Sequence, residues 1–132
     1  MTLVALLFAI SVAVAGTPAE RLTETAQSLD DSVQSVELNK ILPAVAKLLK
    51  TETAVLEKAL FYQNLKLSEV ALGKFISEKA TQSLPELLKP ATDWVKVLEE
   101  KKLSLEDATE YLDNFSSEVS FLVFENRNAK NE

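Results

Sequence analysis

The scarcity of glycine is the feature that most constrains how this chain folds. Only two of its 132 residues are glycine, and only Gly73 lies well inside the chain. Hairpins and barrels need glycine at turn positions where φ is positive, because other residues are strained there. The sequence therefore gives an all-β fold little support.

Helix start signals are frequent by contrast. A capping box places Ser or Thr three residues before an acid, so that the hydroxyl accepts a backbone N–H in the first helical turn. Thr17-Pro18-Ala19-Glu20 and Ser83-Leu84-Pro85-Glu86 fit this pattern, and Ser104-Leu105-Glu106-Asp107 is a variant of it. We predict an all-α fold, a compact bundle of four to five amphipathic helices.

Apolar spacing gives the expected bounds of these helices. The first should cover residues 18–38, because apolar residues recur there every three or four positions. The second should begin near Asn39, with Pro43 in its first turn, where proline is tolerated. Further helices are predicted over residues 69–81 and 90–102 and from Leu105 onward, with a short turn over residues 84–89.

The stretch from Ile41 to Leu65 is the longest run with an apolar helical face, and Glu52 falls on that face. A buried carboxylate must be paired or neutralised. Either the helix breaks or bends around Thr51-Glu52-Thr53, or Glu52 is a functional acid that faces a cavity. We favour the break.

Composition excludes most catalytic chemistry. The chain has no cysteine and no histidine, so that thiol nucleophiles, disulfides and His-based acid–base or zinc sites are ruled out. Its net charge is −6, without a basic patch that would attract nucleic acid. We expect no enzyme activity, no cofactor and no bound metal.

The first 16 residues resemble a secretory signal peptide. The apolar run from Leu3 to Ala15 is shorter than the roughly 20 residues that span a bilayer. Ala13-Val14-Ala15 has the small-x-small pattern before a cleavage site. We predict a secreted, extracellular protein without a transmembrane segment in its mature chain; the alternative is a buried N-terminal helix. The mature chain should form one helical domain over residues 17–124 with a polar tail over 125–132.

Asn114-Phe115-Ser116 is an N-glycosylation sequon. Asn114 lies about 100° from the apolar face of the last predicted helix, which would leave it exposed. The sequence leaves open whether it is modified.

Several apolar residues exceed what a closed bundle needs. Phe61, Leu65, Phe121 and Phe124 lie off the expected inward faces. The run over residues 119–124 is apolar all round, and a short strand is an alternative for it. Trp94, the only tryptophan, suits the core or a ligand contact. The candidate residues for contact with a ligand or partner are Phe61, Tyr62, Leu65, Phe75, Trp94, Phe121 and Phe124.

The missing histidine and cysteine favour binding over catalysis. Our first hypothesis is a carrier that holds an apolar, lipid-like ligand between its helices. The alternative is an interaction or self-associating structural protein that uses an exposed apolar surface. A hydrolase built on Glu52 and a second carboxylate is a weaker third, because no carboxylate pair has a recognisable spacing.

Overall fold

A computed structural model describes residues 16–33 and 35–130. The predicted signal peptide lies outside these residues except for Gly16, and so do the last two residues of the predicted tail. All described secondary structure is helical, which confirms the all-α class. The predicted count of four to five helices is wrong, because the described residues form seven α-helices and one π-helical turn.

The helices follow the chain in short segments. Their bounds are α1 Pro18–Asp31, α2 Ser35–Leu48, α3 Thr53–Glu57, the π-helical turn Lys58–Tyr62, α4 Leu67–Ala80, α5 Leu84–Leu87, α6 Trp94–Glu100 and α7 Leu105–Lys130.

The first predicted helix ends seven residues early. Its start is as expected, because the Thr17 hydroxyl accepts the Glu20 N–H at 3.1 Å. Its end is set by Ser32, whose hydroxyl donates to the Leu29 carbonyl at 2.7 Å. Serine and aspartate compete for backbone hydrogen bonds and so favour helix ends. The next helix therefore starts at Ser35 rather than near Asn39, and Pro43 lies inside it.

The break around Glu52 is confirmed. Lys50 adopts a left-handed conformation with φ of 54°, and Glu52 is the extended residue before α3, which starts at Thr53. The Glu52 side chain is exposed. It therefore reaches water and does not face a cavity.

The segment after α3 is a π-helical turn that carries two exposed aromatic residues. The Gln63 N–H donates to the carbonyl of Lys58, five residues earlier, at 2.9 Å. This wider turn rotates the following residues relative to an α-helix. Ala59 and Leu60 are buried while Phe61 and Tyr62 face solvent.

The helix predicted to begin at Pro90 begins at Trp94. The Asp93 carboxylate accepts the Lys96 N–H at 3.2 Å, which caps α6 at its N-terminus. Ala91 has a positive φ of 60°, so that the residues after Pro90 form a turn. The predicted short turn over residues 84–89 contains the one-turn helix α5.

The last helix starts at Leu105 as predicted, since the Ser104 hydroxyl accepts the Asp107 N–H at 3.1 Å. The alternative of a strand over residues 119–124 is wrong, because α7 continues unbroken to Lys130. Helix therefore extends into the predicted polar tail. There Arg127 Nε forms a 2.6 Å ion pair with Glu37 Oε2 on α2, and this hydrogen bond raises the pKa of Arg127.

The turns are made without glycine. Within residues 16–33 and 35–130, five residues other than glycine have positive φ, and each lies in a segment between helices. They are Lys50, Asn64, Thr81, Ala91 and Lys102. Scarcity of glycine therefore shifts the strain of these turns onto residues that have a Cβ.

The core lies where α1, α4 and α7 pack together, with α2 against α7 and with α5 and α6 against α4. Gly73 on α4 permits a close approach there. A Cβ at this position would lie 2.8 Å from Leu88 Cδ2 and 3.3 Å from Leu84 Cδ1. The glycine thus lets the segment that contains α5 lie directly on α4.

Candidate functional site

The structure divides the seven predicted contact residues into two groups. Leu65, Phe75 and Trp94 are buried. The other four are exposed: Phe61 by 36%, Tyr62 by 77%, Phe121 by 60% and Phe124 by 61%. The seven residues are spread over the π-helical turn, the segment after it, α4, α6 and α7, and they do not line one common cavity.

Phe75 and Trp94 are held by contacts within the protein. The ring of Phe75 lies 5.4 Å from that of Tyr111, centroid to centroid. The Trp94 indole N–H donates to Glu69 Oε2 at 3.1 Å, and the other oxygen of Glu69 accepts the Lys66 N–H at 3.0 Å. Trp94 thereby joins α6 to the N-terminus of α4, which is a structural role.

A cavity of about 270 Å³ lies beside the π-helical turn. Its apolar lining includes Leu38, Phe61 and Leu65, and Asp30 and Lys66 supply charge. Ligand pockets in proteins usually measure roughly 300–1,000 Å³. This cavity is therefore slightly smaller than the usual ligand pocket.

Asp30 has a structural function at this cavity. Its carboxylate accepts the Ser68 N–H at 2.9 Å and the Ser68 hydroxyl at 2.6 Å, which caps the first turn of α4. Burial raises the pKa of Asp30 above its usual value, although the two hydrogen bonds from Ser68 oppose that shift. No local spacing in the sequence points to Asp30, because its partner lies 38 positions away.

Two other cavities have different chemistry. One of about 230 Å³ lies between Leu22, Leu72 and Trp94. The other, about 380 Å³ between α1 and α7, is lined only by polar and charged side chains. A carrier of an apolar ligand would need more apolar volume than either provides.

The outer face of α7 carries an exposed row of residues that we call the aromatic stripe. Its five members follow a three-four-three-four spacing, so that they lie on one side of the helix. All five are exposed: Asn114, Ser117, Phe121, Phe124 and Asn128. The opposite side of α7 is core, with Leu112, Val119 and Val123 buried. The two phenylalanines therefore face solvent at the centre of the stripe, away from the core.

Acidic residues border the aromatic stripe. Helix α7 contains six acidic residues and two basic ones, Arg127 and Lys130, so that this helix has a net charge of −4 in a chain of net charge −6. Glu118 and Glu125 flank one edge and Asp113 the other, and all three are exposed. Arg127, a cation on the same helix, is paired with Glu37.

The sequon residue Asn114 is the first member of the aromatic stripe. Its side chain is exposed, as glycosylation requires. It lies seven residues before Phe121, or about 10 Å along the helix axis. A glycan on Asn114 would therefore project from the same face as the two phenylalanines.

The part of the chain that the structure describes contains no candidate metal site and no candidate membrane-spanning helix. Within residues 16–33 and 35–130, no three Asp or Glu side chains are grouped closely enough to hold a metal ion. Over the same residues, none of the helices combines the length and apolarity that crossing a bilayer requires.

Comparison with known proteins does not assign this chain to a family. Neither the protein-family models, nor the curated proteins, nor the solved structures contain a match to this chain.

Proposed function

We propose that this chain is a secreted helical protein that binds another protein through the aromatic stripe on α7. The observation that carries the proposal is the exposure of Phe121 and Phe124, 60% and 61%, on the face opposite to the core. Large apolar residues grouped on one face are typical of interaction surfaces, where aromatic residues are enriched. Binding rather than catalysis agrees with a chain that lacks histidine and cysteine.

Secretion is part of this proposal, and its support is the apolar run before Gly16 with Ala13-Val14-Ala15 at its end. Mass spectrometry of protein recovered from the extracellular fluid would give its first residue. Cleavage after Ala15 or Gly16 is the expected result. Secreted material that begins at Met1 would contradict it.

The interaction is tested by sedimentation velocity of fluorescently labelled protein, both in buffer over a concentration series and in extracellular fluid from its source. We expect a faster-sedimenting species that disappears in Phe121→Ser/Phe124→Ser. The matched control is Phe61→Ser/Tyr62→Ser, which removes two exposed aromatic residues elsewhere and should leave the species intact. A single slow species for all three proteins in both media would end the proposal.

A second candidate is a carrier of a small apolar ligand in the cavity beside the π-helical turn. It is favoured by the cavity of about 270 Å³, with Leu38 and Phe61 in its wall and the cation Lys66 available to an anionic head group. A fluorescent fatty-acid analogue added to delipidated protein should then bind saturably at micromolar protein. Leu38→Glu would abolish the signal, and an unsaturable signal would exclude the carrier.

A further inference from the structure

The aromatic stripe lies between acidic borders, and this arrangement restricts the partners that can cover it. In heptad notation Phe121 and Phe124 occupy adjacent a and d positions. Glu118 and Glu125 then occupy e positions, which face one flank of a partner helix. The g positions on the other flank are Asp113, Ser120 and Arg127, and Arg127 is paired with Glu37. A helix laid on the stripe would therefore meet two carboxylates along one edge and the carboxylate of Asp113 on the other.

A second copy of this chain is a poor occupant. In an antiparallel pair of α7 helices, e positions face e positions, so that Glu118 and Glu125 would face their own counterparts. In a parallel pair, Asp113 would face Glu118 of the other copy. Like charges on the e border oppose the antiparallel pair, in which the only attraction would be between Asp113 and Arg127 on the g border, where Arg127 is already paired with Glu37. Asp113 opposite Glu118 opposes the parallel pair. An anionic membrane surface is disfavoured for the same reason.

We propose that the aromatic stripe binds a basic amphipathic helix of another protein. Apolar side chains of that helix would cover Phe121 and Phe124, and lysine or arginine on its flanks would pair with Glu118, Glu125 and Asp113. The inference rests on the proposed function, because it specifies the partner for the same surface. Charge complementarity carries it: α7 alone holds −4 of the net charge of −6.

The test uses two synthetic peptides of about 21 residues, long enough for helix formation on a surface. Both have leucine at a and d positions; one has lysine and the other glutamate at e and g positions. Fluorescence anisotropy measures their binding to the full chain at low and high salt. We expect about tenfold tighter binding of the lysine peptide at low salt, a preference that high salt weakens.

Two variants locate the binding. Phe121→Ser/Phe124→Ser should abolish binding of both peptides. Glu118→Lys/Glu125→Lys keeps the aromatic residues, changes only exposed positions, and should reverse the preference toward the glutamate peptide. Circular dichroism verifies that each variant keeps the helical content of the parent chain.

The contrary results are equally specific. Equal binding of the two peptides, or a preference that survives Glu118→Lys/Glu125→Lys, would overturn the basic-helix partner. So would tight binding to phosphatidylserine vesicles that requires Phe121 and Phe124. Self-association that depends on these phenylalanines, without a preference between peptides, would also overturn it but would leave the proposed interaction function standing.

Discussion

At the scale of single residues, the shortage of glycine leaves its clearest trace at Thr81. This residue ends α4 with φ of 54° and ψ of 49°, in the left-handed region. A β-branched residue is rare in this conformation, which costs roughly 1–2 kcal/mol for residues other than glycine. The turn after α4 thus holds strain that a glycine would remove.

Thr81→Gly should therefore stabilise the protein by about 1 kcal/mol, after allowance for the greater freedom of glycine in the unfolded chain. Urea unfolding measures the change. The matched control is Thr23→Gly on the exposed side of α1, where glycine should destabilise by about 1 kcal/mol. If both substitutions destabilise equally, Thr81 is not strained.

Tyr111 gives a pH-dependent prediction. Burial, and secondarily the charges of Glu78 and Glu118, raise its pKa from 10.0 to about 12. The folded state therefore favours the protonated phenol over the phenolate. This contribution to stability is fully present below pH 10 and is lost as the pH rises through about 12.

The free energy of unfolding, measured from pH 9 to pH 12, should fall more steeply for the parent chain than for Tyr111→Phe. The phenylalanine variant keeps the ring beside Phe75 but cannot ionise, so that other titrating groups cancel in the comparison. Parallel curves for the two proteins would show that burial does not raise the pKa of Tyr111.

At the scale of elements, the N-terminus of α4 depends on a distant part of the chain. Asp30→Ala would leave the Ser68 N–H and hydroxyl without their acceptor, and we expect a loss of about 1–3 kcal/mol. Asp30→Asn keeps an acceptor and should cost less. Urea unfolding at pH 7 distinguishes them, and equal stabilities would mean that the cap contributes nothing.

The stability difference between the parent chain and Asp30→Asn should depend on pH. Because burial raises the pKa of Asp30, the protonated carboxyl is favoured by folding. Its contribution is present below the ordinary value of 3.8 and declines as the pH rises through the higher folded value. The stability of the parent chain relative to Asp30→Asn should therefore decrease from about pH 3 upward, a trend that acid titration of unfolding would detect.

Elements with local causes were predictable from the sequence. Ser104 predicts the start of α7, and the charge of Glu52 on an otherwise apolar helical face predicts the break before α3. The end of α1, the π-helical turn and the cap of α4 were not predicted. Ser32 and Gln63 mark the first two through local hydrogen bonds that the apolar spacing does not record, whereas the cap depends on packing across the fold. Asp30 illustrates the reason: its carboxylate caps a helix 38 residues away, and no local spacing records such a contact. The surplus aromatic residues were recognisable, but the acidic border appears only once the outer face of α7 is known.

At the scale of the whole molecule, the aromatic stripe by itself gives limited affinity. Complete burial of one phenylalanine contributes roughly 1.5–3 kcal/mol, and both rings are already partly covered. Association costs at least about 4 kcal/mol in lost freedom of motion. A stable complex therefore needs contacts beyond Phe121 and Phe124, and the charged borders of α7 are the nearest groups that can supply them.

A crosslinking comparison tests the location of binding most directly. A photoreactive benzoylphenylalanine would replace Ser117 or Asn128 on the aromatic stripe or, as the reference, the exposed Tyr62 of the π-helical turn. Each protein would be irradiated in extracellular fluid. We expect one adduct of the same mass from positions 117 and 128, and its loss in Phe121→Ser/Phe124→Ser. Adducts formed only from position 62, or adducts that persist without the two phenylalanines, would contradict binding through α7.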